Sequence, residues 1–213
     1  LVGDFVYSRA FQMMVAVQNM RVMEVLSNAT NIIAEGEVLQ LLNVHNADVT
    51  DEAYLRVIHY KTAKLFEAAT RLGAIISNAS PKDEEALSKY GMHIGTAFQL
   101  IDDVLDLSGN ALDIGKNLGD DLSEGKPTLP LLYAMRNGSA AEATTIKHAI
   151  EHGGLDDLPT VLSAVERTGA LQHVRKMAAK ESELACTAIA HFADSPHKQA
   201  MLALAEFAIA RNY

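Results

Sequence analysis

Apolar residues recur at a spacing close to 3.6 along nearly the whole chain, Ala and Leu are abundant, and aromatic and β-branched residues are sparse. The pattern predicts an all-α protein. A first helix carries Val6, Ala10, Met13, Met14, Val17 and Met20 at i, i+4, i+7, i+8, i+11 and i+14, a flexible apolar stripe without a polar anchor. Such a stripe serves either core packing or the wall of a hydrocarbon-binding cavity. A second helix is predicted from about Asn28 to Val44, with Gly36 in its middle. Because a mid-helix Gly costs about 1 kcal/mol against Ala, this one suggests close approach of another backbone or a ligand. Thr50 is placed to cap a third helix, with Asp51 and Glu52 in its first turn, and that helix carries Lys61, Thr62 and Lys64 before running apolar to Ile76. Ser80-Pro81-Lys82-Asp83 starts the next one.

That helix delivers the densest chemistry in the chain. Residues 91 to 106 are apolar almost all round, yet Gln99, Asp102, Asp103 and Asp106 fall at i, i+3, i+4 and i+7 and share one stripe. Like charges so close would raise one another's pKa and cost stability unless a cation neutralises them. Hard oxygen ligands suit Mg2+, which takes one or two carboxylates from a protein and completes its octahedron with water and substrate phosphate. A solvated acidic edge is the alternative, but the flanking Phe98, Leu100, Ile101, Val104 and Leu105 leave no second polar face. A Gly- and Pro-punctuated loop follows, from Ser108 to Pro130, and loops of that length usually have a job. Its Lys116 and Lys126 are natural point-charge partners for an anion held at the stripe.

Beyond Thr128 the chain is helical and chemically quiet. Ser139 and Glu142 form a capping box, Gly153-Gly154 and Gly169 mark breaks, and Ser195-Pro196 opens the last helix. His148 and His152 share a helix face, but no third ligand is near in sequence, and a solvated face is the expectation.

The 213 residues show no composition shift or linker and predict one domain spanning 1–213. A formal charge of −9 with no basic cluster argues against nucleic acid. Cys186 is the only cysteine, which fits a reducing, cytoplasmic setting. No apolar run approaches the roughly 18 to 20 residues of a membrane span, and Leu1-Val2-Gly3-Asp4 lacks a basic signal-peptide start. The chain opens inside an apolar segment without an initiator Met, so further residues are expected upstream of Leu1.

Residues 98 to 106, Phe-Gln-Leu-Ile-Asp-Asp-Val-Leu-Asp, resemble the second aspartate-rich motif of the trans-isoprenyl diphosphate synthases, the polyprenyl synthetase family. Lys61-Thr62, Gly3-Asp4, Glu35-Gly36-Glu37 and the elements Gly115-Lys116, Gly125-Lys126 and Thr128-Leu129-Pro130 match that family in order and spacing. The resemblance covers essentially the whole chain. It implies a helical bundle around a central cavity and a prenyltransferase that condenses isopentenyl diphosphate onto an allylic diphosphate such as farnesyl diphosphate. The implied product is a long all-trans polyprenyl diphosphate, of octaprenyl length, for quinone side chains.

By the same resemblance Asp102, Asp103, Asp106 and Lys61 are catalytic. Asp102 and Asp106 are the first ligands of Mg2+, with Asp103 bound through water or placed behind them. Lys61, Lys116 and Lys126 clamp diphosphate, Thr62 and Gln99 donate hydrogen bonds to it, and Phe98 contributes to substrate binding. Ala10, Met13, Met14 and Val17 are expected to line the tunnel that sets chain length, and two copies are expected to pair as a homodimer. The family's first aspartate-rich motif and its N-terminal helices lie upstream of the element that here is Gly3-Asp4; Asp120-Asp121-Leu122-Ser123-Glu124 has similar letters but falls after the second motif. The stripe is therefore expected to line an open groove with weak Mg2+ binding and exposed apolar surface nearby. A catalytically silent subunit is the rival reading, and a class I terpene cyclase, which usually lacks the Lys-Thr and Gly-Lys elements, is the more distant one.

Overall fold

The computed structural model describes residues 1–108 and 118–211. These residues form helices and connecting turns, with no strand among them. The helices are α1 (Val2–Ala16), α2 (Met20–Asn43), α3 (Asp51–Ile58), a π-helix (His59–Ala63), α4 (Lys64–Ile76), α5 (Pro81–Ser108), α6 (Asp120–Ser123), α7 (Leu129–Asn137), α8 (Ala140–His152), α9 (Leu158–Arg167), α10 (Ala170–Ala188) and α11 (Pro196–Ala210).

Local chemistry accounts for most boundaries. Thr50 Oγ1 accepts from the Ala53 amide at 3.1 Å, and Ser80 Oγ accepts from the Asp83 amide at 3.2 Å. Ser139 and Glu142 complete their capping box as expected. The apolar stripe at the N-terminus behaves differently. Instead of running through Met20, α1 ends at Ala16; Gln18 adopts a positive φ of 53°, and Asn19 caps a new helix by accepting from the Arg21 amide at 3.0 Å. Helix α2 therefore starts at Met20 rather than near Asn28, because a good Asn cap stands immediately before it. Of the α1 stripe, Met14 is buried while Val6, Met13 and Val17 are exposed.

The 28-residue α5 is apolar on several faces because helices surround it: α4 packs on one side and α10 on the other. Its Leu100, Ile101 and Val104 are completely buried beneath the acidic stripe, with Tyr54 and Ile58 of α3, Leu129 and Leu132 of α7, and Val174 and Ala178 of α10. Full burial of one such aliphatic side chain is worth about 1.5–3 kcal/mol, so the rod that carries the stripe is held firmly from behind. Close approach beside the site is clear at Gly95 and Gly36. A Cβ on Gly95 would come within 2.7 Å of Ala63 Cα, and one on Gly36 within 2.6 Å of the Lys61 backbone nitrogen. Gly36 is thus where α2 presses against the π-helix, which is the backbone contact its place in the sequence suggests.

A second cross-helix tie is ionic. Glu84 of α5 accepts from Arg71 Nε of α4 at 2.8 Å and from Arg21 Nη2 of α2 at 2.7 and 2.8 Å. Large apolar side chains on α1 and α2 remain exposed, among them Phe5, Met20, Leu41 and Leu42.

Candidate active site

Helix α5, the π-helix, α2, the segment 118–128 and the residue after α11 meet around one cavity of about 440 Å³. Gln99, Asp102, Asp103 and Asp106 line it together with Lys61, Thr62, Lys126 and Arg211. The expected stripe, the Lys-Thr pair and one of the two expected loop lysines therefore converge. Lys116 lies outside the described residues. Ala10, Met13, Met14 and Val17 do not line this cavity. His148 and His152 stack on each other at 4.2 Å on the exposed side of α8.

The three aspartates meet three different environments. Neighbouring residues on a helix point about 100° apart, so Asp102 and Asp103 cannot share surroundings. Asp103 turns inward and is 3% exposed; Tyr54 Oη donates to its Oδ2 at 2.5 Å and Gln99 Nε2 to its Oδ1 at 2.9 Å. Burial pushes its pKa up to about 7 against the opposing pull of those donors. Burial, and then the Asp103 charge, push the Tyr54 phenol well above its ordinary range. Asp102 turns toward the cavity, its side chain 36% exposed, and receives Arg211 Nη1 at 3.2 Å. Asp106 Oδ1 accepts from the Asp121 amide at 3.3 Å, and the Asp106 carbonyl accepts from the Gly119 amide at 2.9 Å, which pins the segment after the loop to the end of the stripe.

The cations are equally specific. Lys61 leaves the π-helix, where the widened turn re-aims a side chain, and its Nζ bonds Gln40 Oε1 and sits 3.2 Å from Glu37 Oε2. Lys126 Nζ lies 2.8 Å from Asp121 Oδ1 and 2.7 Å from Glu124 Oε2. Burial alone would push the Lys126 ammonium down, but the two carboxylates more than reverse this and hold its pKa above the ordinary value. Thr62 Oγ1 donates to Gln99 Oε1 at 3.0 Å, which joins the Lys-Thr pair to the acidic stripe. The Thr128 hydroxyl is buried at the cavity wall and has no hydrogen-bond partner among the described residues.

Arg211 is the participant that sequence reasoning missed. Its Nη2 donates to the Phe98 carbonyl at 2.8 Å, and its guanidinium lies 3.7 Å from the centre of the Phe98 ring. Phe98 thus acts here as a seat for a cation, with Phe66 5.5 Å behind it. The only available signal was a lone Arg following the last apolar helix.

Among the described residues no three His, Cys, Asp or Glu side chains come together as a metal cage. The donor set nevertheless fits Mg2+, which needs only one or two carboxylates when phosphate supplies the remaining oxygens. Asp102 and Asp106 would hold it, one turn apart on α5.

The chain as a whole is similar to known proteins. A family model described as polyprenyl synthetase matches residues 1–167. The chain belongs to the polyprenyl synthetase family. It is 49% identical over 213 residues to octaprenyl diphosphate synthase of Escherichia coli, covering 100% of this chain and 66% of that protein. It is 44% identical to the geranyl-diphosphate-specific all-trans-nonaprenyl-diphosphate synthase of Rhodobacter capsulatus, over 99% of this chain and 65% of that one. The chain thus spans just under two thirds of the length of these relatives. A polyprenyl synthase from Caulobacter crescentus, solved with calcium and isoprenyl diphosphate, superposes with a TM-score of 0.95 at 40% identity, over 100% of this chain and 65% of that one. Heptaprenyl diphosphate synthase of Staphylococcus aureus superposes with a TM-score of 0.92 at 28% identity, over 99% and 66%. The all-α isoprenyl synthase fold is therefore established, and membership of the family sets the terpene cyclase reading aside. No helix among the described residues is long and apolar enough to cross a membrane.

Proposed function

We propose that this chain carries the second aspartate-rich half of a long-chain trans-polyprenyl diphosphate synthase, which joins isopentenyl diphosphate to an allylic diphosphate and extends the product to about octaprenyl length. The observation that carries this reading is the convergence of both signs of charge on one cavity. Carboxylates Asp102 and Asp106 line it together with the ammonium groups of Lys61 and Lys126 and the guanidinium of Arg211.

Diphosphate leaves an allylic carbon readily only if the charge developing on its oxygens is neutralised. Bound Mg2+ would supply Lewis acidity there. Lys61 and Lys126 would hold the departing oxygens, and both now rest on acidic or amide partners that a diphosphate can replace. The apolar residues behind the stripe keep water away from the cation that remains. Once the isopentenyl double bond attacks that cation, a proton is lost and the chain is longer by one prenyl unit.

A homodimer is part of the proposal, supported by the large apolar side chains that α1 and α2 leave exposed, such as Phe5, Met20, Leu41 and Leu42. The test is incubation of the chain, joined upstream to the segment that carries the first aspartate-rich motif, with farnesyl diphosphate, radiolabelled isopentenyl diphosphate and Mg2+, followed by product chromatography. Octaprenyl-length product that vanishes in Asp102→Ala is expected. Turnover unaffected by Asp102→Ala would overturn the reading, and a stable monomer in sedimentation at micromolar concentration would overturn the dimer.

A further inference from the structure

Tyr54 is not part of the aspartate-rich motif or of the Lys-Thr pair, yet its hydroxyl ends inside this site. Its ring belongs to the apolar cluster with Ile58, Leu100 and Val104, and only 6% of the residue is exposed. Against it stands the buried Asp103, joined by the 2.5 Å hydrogen bond. A polar pair in that position needs a reason, because well-packed apolar residues of the same volume are often as stable or more so.

The reason is direction. Tyr54 Oη donates to one oxygen of Asp103 and Gln99 Nε2 to the other, at 2.9 Å, so both accept and the Gln99 amide turns its Oε1 the other way. That oxygen faces Thr62, whose hydroxyl must then donate to it, at 3.0 Å. A threonine hydroxyl has one proton. With that proton committed to Gln99, Thr62 presents only lone pairs to the cavity. We propose that Tyr54 is a positioning residue of this site: its hydroxyl anchors Asp103, Asp103 orients the Gln99 amide, and Gln99 makes Thr62 a pure acceptor toward the reacting prenyl carbons.

The inference rests on reading the cavity as a prenyl transfer site. An acceptor aimed at carbon that becomes positively charged stabilises that charge, whereas a hydroxyl hydrogen turned the same way would oppose it. The chain Tyr54, Asp103, Gln99, Thr62 crosses from α3 through α5 to the π-helix, so one missing hydroxyl on α3 is felt at the other end.

Tyr54→Phe keeps the ring and deletes the anchor. Loss of a group that orients a first ligand typically costs about 10–100-fold in activity, so kcat for prenyl transfer should fall by that factor while KM for isopentenyl diphosphate stays unchanged. In the same protein the side-chain amide proton pair of Gln99, assigned by its loss in Gln99→Met, should move toward the positions of a free amide in 15N–1H spectra. Asp103→Asn, which removes the acceptor-only constraint at constant shape, should do the same and serves if Tyr54→Phe folds poorly. A merely structural tyrosine would lower the melting temperature and leave both readouts alone. An unshifted Gln99 pair, or an unchanged kcat, overturns the assignment. If the unaltered chain transfers no prenyl group, the functional reading fails, and the Gln99 spectrum still decides whether Tyr54 positions it.

Discussion

Arg211 lays its guanidinium on the carboxylate of Asp102, Nη1 to Oδ1 at 3.2 Å, from a position 109 residues further along the chain. A cation already resting on that carboxylate competes with a metal ion for it. At about 4 Å two unit charges repel by about 1 kcal/mol even at the dielectric of water, roughly a fivefold change in affinity. Arg211→Gln should therefore tighten Mn2+ binding by at least that factor, read by electron paramagnetic resonance without substrate. Equal affinity in the two proteins would show that Arg211 does not contend for the site.

Asp102 and Asp103 should respond unequally to the same substitution. Asp103→Ala strands the Tyr54 hydroxyl and the Gln99 amide in a buried place, at about 1–3 kcal/mol for each unsatisfied group. Asp102→Ala removes a part-exposed ion pair and should cost about 1 kcal/mol or less. Denaturant melts of the two variants measure the difference; comparable losses would show that the stripe is not divided in this way.

Gly36→Ala gives a diagnostic sign. On helix propensity alone the change would gain about 1 kcal/mol. The added Cβ, however, would stand 2.6 Å from the Lys61 nitrogen and 2.9 Å from the Tyr60 carbonyl carbon, and backbone atoms cannot swing aside. Overpacking of this kind costs about 1–3 kcal/mol, so the variant should be destabilised and its pyrophosphate affinity lowered through the displaced Lys61. A more stable Gly36→Ala protein would mean that α2 and the π-helix are further apart.

Glu84 makes stability depend on acid. The Arg71 hydrogen bond, followed by that of Arg21, holds its carboxyl below the ordinary glutamate range against the opposing effect of burial. A group whose folded pKa is depressed contributes stability above its unfolded pKa, about 4.3, and that stability is lost as pH falls through the folded value. The deficit of Glu84→Gln should be about 1–3 kcal/mol at pH 7 and should shrink steadily below pH 4. Urea midpoints compared at both pH values check it, and a deficit that persists undiminished at pH 3 would rule out the charge as its source.

Much of this molecule was legible before folding because its signals are local. Thr50, Ser80 and Ser139 each satisfy an amide three residues on, and a carboxylate stripe at helical spacing needs only a helix to become one edge. Gly36 announced a close contact without saying with what. The split of the first apolar stripe was legible in principle from Asn19, but the helical period of the apolar positions on either side concealed it. Two features were beyond local reading. Asp103 finds its tyrosine only because α3 packs against it, and Arg211 joins the site only because α11 ends beside Phe98. Both are long-range meetings that no spacing encodes.

The π-helix over His59–Ala63 has a bearing on how this chain tolerates length changes. A π turn is an α-helix carrying one surplus residue, so deleting a single residue there would let the run from Asp51 to Ile76 close up as an unbroken α-helix. The flanking halves would keep their present facing, because the wide turn is what absorbs the surplus residue, but the bulge itself would vanish. Lys61, which leaves the helix from that turn, would lose its present aim, while Tyr54 would keep its place against Asp103. The segment is slack gathered into one turn, and a deletion that leaves the fold standing would draw the lysine out of the site.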